Sequence, residues 1–229
     1  MSQHTMEKTA GIAAVAGAIA SLAATVAEPD WGGDDATEAA RVVADTRLWD
    51  ADRLLDLVGL VLTVAALTVV NRRLIRAGSE WPRLAQPMLV LVGAFGGVAI
   101  ATGAAIHTMA TSWQDAGPEQ AAAYLASFDG VRRITEDVFF AAFLALGLYL
   151  ALLSGAILTT STFARWLGWC AGAAGVLILA GDLLSILFDA AFLLVLAGYV
   201  AYKAMLVGLG VSLWRAAAPQ IQPAGAHPV

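Results

Sequence analysis

From Phe163 to Trp214 the chain runs for 52 residues with only two acidic side chains, Asp182 and Asp189. As one helix this stretch would be about 78 Å long at 1.5 Å per residue. That is more than twice the roughly 30 Å of a bilayer's hydrocarbon core. It must fold as two membrane-length helices, with the turn beside the two aspartates. No soluble domain has a use for such a run, and the rest of the chain agrees. Hydrophobic residues make up 59% and charged residues 14%, against roughly 45–50% and 25% in soluble domains.

Four more apolar stretches bring the count to six. The expectation is an all-α, polytopic membrane protein, a single six-helix bundle with helices near 10–27, 52–72, 86–110, 134–156, 163–186 and 190–214. Residues 216–229, with Pro219, Pro223 and Pro228, read as a disordered tail. Lys8 and the small residues Thr25-Val26-Ala27 also fit a secretory signal around the first stretch. Its 18 apolar residues exceed a usual signal core, and Met1 is retained, so an uncleaved helix is expected.

Charge sets the orientation. Lys8, Arg72, Arg73, Arg76, Arg83, Arg165 and Arg215 fall at one end of the helices. The other end carries Glu28, Asp30, Asp34, Asp35, Glu38 and Asp45 in its first loop, and Asp115, Glu119 and Asp129 in its second. Arg41, Arg47, Arg132 and Arg133 blur the bias without reversing it. Both termini are expected in the cytoplasm. In the outer loops, Pro118-Glu119 opens an amphipathic helix that Gly130 should end, and residues 34–47 suit another.

The net charge of −5 argues against a nucleic-acid partner, leaving the lipid bilayer as the expected one. Gly93–Gly97 and Gly168–Gly172 are small-residue steps that could join copies of the chain in a homo-oligomer. The offset of about 80 residues between these steps, and between Arg53–Asp56 and Arg133–Glu136, hints at an internal repeat. Cys170 is alone, so it forms no intrachain disulfide and no thiolate cluster. The tryptophans Trp31, Trp49, Trp81, Trp113, Trp166, Trp169 and Trp214 read as interfacial anchors.

Function must be sought among the scarce polar groups. Asp52, Asp56, His107, Glu136, Asp137 and Asp182 all fall in the outer third by depth. Arg53 with Asp56, Arg132 with Glu136 and Arg133 with Asp137 also suit ordinary local pairs at the headgroup level. Lys203 lies about 18 Å from either end of the last helix. There a lysine costs about 2.5–3.5 kcal/mol on insertion scales, so it should face a polar cavity or a carboxylate. Tyr199, one turn earlier, is a candidate partner, and Asp56 and Asp182 are the counter-charges nearest in depth.

No phosphate loop, G-x-S-x-G, H-E-x-x-H or haem-attachment motif is present, and no cofactor or metal is implied. Three readings follow. The first is a small-solute or ion carrier, proton-coupled, using Lys203, Asp56, Asp182, Tyr199 and Arg53. The second is an enzyme acting on a lipid or isoprenoid at the outer leaflet, with Asp56, His107, Glu136 and Asp182 as acid and base groups and Arg53, Arg132 and Arg133 holding a head group. The third is a non-catalytic sensor or assembly partner.

Several short motifs carry a resemblance. Lys8-Thr9-Ala10-Gly11-Ile12 opens the first helix, and Arg53-Leu54-Leu55-Asp56 the second. Phe163-Ala164-Arg165-Trp166-Leu167-Gly168-Trp169 opens the fifth, which continues to Ala180-Gly181-Asp182. Over residues 8 to about 215 the pattern resembles a family of bacterial six-helix membrane proteins of unknown function. The resemblance implies the fold and the topology only and supplies no catalytic residues; the expected location is a bacterial inner membrane, crossed several times.

Overall fold

The computed structural model describes residues 2–27 and 34–217. Glu28, Asp30 and Trp31 of the first loop, and residues 218–229 of the expected tail, lie outside them. The described residues form α1 (Gln3–Ala27), α2 (Asp35–Ala44), α3 (Thr46–Arg76), α4 (Trp81–Gln114), α5 (Pro118–Leu158), α6 (Arg165–Ser185) and α7 (Phe192–Ala216), with no strand among them. All but α2 are long and apolar enough to cross a membrane. The chain is a multi-pass membrane protein.

Each spanning helix packs on its neighbour in the chain, and α7 closes back on α1, so the six form a ring. The closure depends on glycine. A Cβ on Gly11 would stand 2.7 Å from the Gly210 carbonyl oxygen, and one on Gly175 would stand 2.8 Å from that of Gly147. At those crossings backbone meets backbone, the close approach that lets apolar helices associate without a hydrophobic driving force. Gly168 and Gly172 likewise lie against α5, at Leu158 and Ser154, whereas a Cβ on Gly97 would meet nothing.

Glu7 binds Arg73 at 3.2 Å and Arg76 at 3.6 Å. Lys8 sits 5.1 Å from the Trp214 ring, and Arg73 lies 5.3 Å from that of Phe163. The start of α1 thus meets the ends of α3 and α7, and the end of α3 meets the residues leading into α6. The start of α1 and the end of α7 belong to one end of the ring, the basic one.

Two expectations at the acidic end need correction. Gly130 does not stop a helix: α5 runs unbroken through it for 41 residues. A glycine inside a helix costs only about 1 kcal/mol. No proline or polar loop follows it, Phe128 is fully buried, and Arg132 anchors the same stretch to α2, so packing outweighs the local preference. Trp49 is not an interfacial anchor either. It is 1% exposed, its indole N–H donates to the Gly103 carbonyl at 3.3 Å, and the Arg53 guanidinium stacks 4.5 Å from its ring. Trp81, Trp166, Trp169 and Trp214 are exposed, as anchors would be. The helix expected over 34–47 is α2. It is capped by Asp34, whose carboxylate accepts the Thr37 N–H at 2.8 Å; the Thr37 hydroxyl, followed by this N–H, holds it below the usual carboxylate range.

Candidate functional site

Depth along a membrane helix follows from residue number, but the direction in which a side chain points does not. The ring settles that direction for most of the polar groups. Its interior holds a cavity of about 450 Å³ to which all six spanning helices contribute. Asp56, Glu136, Asp182, Tyr199 and Lys203 all line it, and so does Thr63. On α7 the lining runs from Phe192 to Lys203, eleven residues or about 16 Å of depth. The cavity therefore opens the acidic half of the ring and reaches the middle at Lys203, and on α4 its lining continues to Val92 and Leu89, nearer the basic end.

Lys203 is 4% exposed. Its ammonium lies 4.3 Å from the centroid of the Tyr199 ring and 4.9 Å from that of Tyr202. The two rings form a cation–π seat between tyrosines one turn apart. The half-buried Asp56 carboxylate, also on the cavity wall, acts on this ammonium as its opposite charge.

Asp182 enters from α6, near the end of the helix. It is 5% exposed, and its Oδ2 is buried with no hydrogen-bond partner among the described residues. Glu136 is exposed at the mouth and pairs with Arg132 at 3.1 Å. Arg132 also holds Asp129 at 2.9 Å and Asp35 and Glu38 at 3.5 Å, tying α2 to α5. The local pair expected between Arg132 and Glu136 is present. Arg133 takes Asp129 at 2.9 Å, one turn back, where Asp137 ahead of it was the expected partner.

Two candidates lie elsewhere. His107 is not on the cavity wall: its Nδ1 is 3.3 Å from the exposed Asp50 carboxylate. Arg53 sits between α3 and α4, 3.2 Å from Asp52 and against Gly103. Among the described residues, no three histidine, cysteine or acidic side chains gather as a metal site.

The cavity wall also contains residues that the sequence reading passed over. Phe139 and Phe143 stack at 6.4 Å, Phe143 meets Tyr199 edge-on at 6.0 Å, and Tyr199 leads to Tyr202 at 6.2 Å. Four rings from α5 and α7 make a continuous arc. The signal was present as aromatic residues one turn apart, Phe139–Phe143 and Tyr199–Tyr202 or Lys203, but such spacing is ordinary in any packed apolar helix.

Compared with protein-family models, curated proteins and solved structures, the chain matches none. The residues themselves must therefore carry the functional reading.

Beyond the cavity, toward the basic end, the ring is closely packed. Leu67, Leu74, Leu150, Leu153, Ile157, Leu206, Leu209 and Leu213 are fully buried there. One polar knot is set among them: Tyr149 donates its hydroxyl to Asn71 Oδ1 at 3.2 Å, and the Asn71 amide donates to Gln86 at 3.0 Å. Each helix that lines the cavity continues into this plug along the same face, so the plug stands directly in line with the chamber.

Proposed function

We propose that the protein is a small-solute or ion carrier of the bacterial inner membrane, with both termini in the cytoplasm and its chamber opening outward. The observation that carries this reading is the cavity in the acidic half, lined by all six helices and by a buried lysine at mid-depth, above a closely packed basic end. A ring open to one side and sealed by close packing on the other corresponds to one access state of a carrier. A channel would need a continuous path, and a structural protein has no need of an ionisable chamber.

The charges suit coupling. Ionisable groups inside a membrane are costly and mark substrate, ion or proton pathways. Asp56 answers Lys203, but Asp182 has no such partner among the described residues. Closing the chamber over a lone carboxylate would bury a bare charge, so closure should wait until a proton or a cationic solute neutralises it.

The enzyme reading draws less support. His107 points away from the chamber, and Arg53, Arg132 and Arg133 are each already held by carboxylates. No observation favours the assembly-partner reading over the carrier.

Alternating access supplies the test. In a Cys170→Ala background, Thr63→Cys reports on the chamber and Ala85→Cys on the plug; Ala85 is fully buried. A membrane-impermeant maleimide should label Thr63→Cys from the acidic side and Ala85→Cys from the basic side. If Ala85→Cys stays unlabelled from the basic side over hours while Thr63→Cys reacts, the carrier reading is wrong.

A further inference from the structure

We infer that the chamber takes a monovalent organic cation, an amine or quaternary ammonium on an apolar body, with Asp182 holding the charge and the aromatic arc holding the body. The inference builds on the reading of this cavity as a solute chamber.

The sign of the charge comes from pairing. Of the three carboxylates on the wall, Asp56 acts on Lys203, and Glu136 is engaged by Arg132. Asp182 remains, buried and with Oδ2 unsatisfied. An isolated carboxylate in a dry site is stabilised by a donor or a positive charge, whereas an anion beside it would be repelled. One unanswered negative charge calls for one positive charge.

The organic character comes from the wall. A bare metal ion needs several oxygen or nitrogen ligands, and no three His, Cys, Asp or Glu residues converge among the described residues. The arc of Phe139, Phe143, Tyr199 and Tyr202 offers ring faces instead. Its deep end already seats a cation, the Lys203 ammonium, at 4.3 and 4.9 Å. Aromatic faces attract ammonium groups most strongly where water is excluded. A volume of about 450 Å³ lies within the range of small-molecule sites, about 300–1,000 Å³.

The full chain in lipid nanodiscs, titrated by calorimetry against empty nanodiscs, tests this with three probes of similar shape. Benzyltrimethylammonium carries a charge that no pH change removes, neopentylbenzene is its neutral isostere, and benzenesulfonate carries the opposite charge. The expected result is saturable binding of the cation alone. Asp182→Asn should weaken it by about ten-fold or more and Phe143→Leu by about three-fold, as the loss of a charge-assisted contact and of one ring face predicts. Binding of neopentylbenzene as tight as the cation's would make the cavity a merely apolar one. Preferential binding of benzenesulfonate would make Lys203 the anchor. Either result overturns the inference, as does undiminished binding to a folded Asp182→Asn protein. If that variant does not fold, the three-probe series on the unaltered protein still decides.

Equilibrium binding does not require the basic half to open. Failure of the cation series alongside successful labelling of Ala85→Cys removes the ligand class and leaves the carrier. The opposite combination removes the carrier and leaves the ligand.

Discussion

The two halves of the ring are built from the same helices and similar residues, yet one is hollow and the other solid. In the basic half, facing leucines from α3, α5 and α7 fill the interior, and the membrane-depth polar groups Asn71, Gln86 and Tyr149 satisfy one another. In the acidic half the rings and carboxylates line an open cavity, and Asp182 keeps an unsatisfied oxygen. The basic half is packed for stability. The acidic half leaves stabilising contacts unmade, which is where a binding function would be housed.

The largest effect that should separate the halves is a cavity mutation. Leu153→Ala in the plug removes a fully buried side chain from close-packed surroundings, which costs about 2–5 kcal/mol. Phe143→Ala enlarges a cavity that already exists, and fewer contacts are lost per atom removed. Despite the bigger side chain it should cost less. Denaturation in mixed micelles of increasing dodecyl sulfate would rank the two; an equal or reversed order would mean that the acidic half is not hollow in the membrane.

A smaller effect is expected at the basic rim. Glu7 is 5% exposed and holds α1 to α3 through Arg73. A hydrogen bond to a charged group is worth about 1.5–3 kcal/mol, and Arg73 is partly open to solvent. Glu7→Gln should therefore cost about 1.5 kcal/mol, and the loss should shrink in high salt. No such salt sensitivity is expected of Tyr149→Phe, which removes the neutral hydroxyl bond to Asn71 and should cost about 1 kcal/mol. A Tyr149→Phe protein that instead labelled faster at Ala85→Cys would show that the knot also latches the plug.

How much of this the sequence contained depends on the coordinate in question. Depth was legible: six spans, the turn beside Asp182 and Asp189, and a lysine near mid-membrane all follow from counting residues at a fixed rise. Azimuth was not. In water the apolar stripe of a helix marks its inner face, but in lipid every face is apolar, so nothing in the spacing separated Asp182, which faces the chamber, from His107, which does not. Gly130 misled for a related reason. Glycine stops a helix when the next residues gain by leaving it, and around Gly130 the contacts of Phe128 and Arg132 hold the helix together. The plug's knot was invisible because Asn71, Gln86 and Tyr149 are far apart in sequence, and neutral groups give no charge pattern.

The smallest expected effect tests azimuth directly. His107 shares the depth of the chamber's carboxylates and belongs to the same third of the ring, but its imidazole meets Asp50 at the α3–α4 surface. His107→Ala should leave benzyltrimethylammonium affinity within about two-fold of the unaltered protein, because removing a side chain outside the cavity changes neither its charge nor its rings. If depth alone governed function, His107→Ala and Asp182→Asn would weaken binding alike. A ten-fold gap between them would show that the direction each residue faces, fixed only when the ring closes, assigns the site.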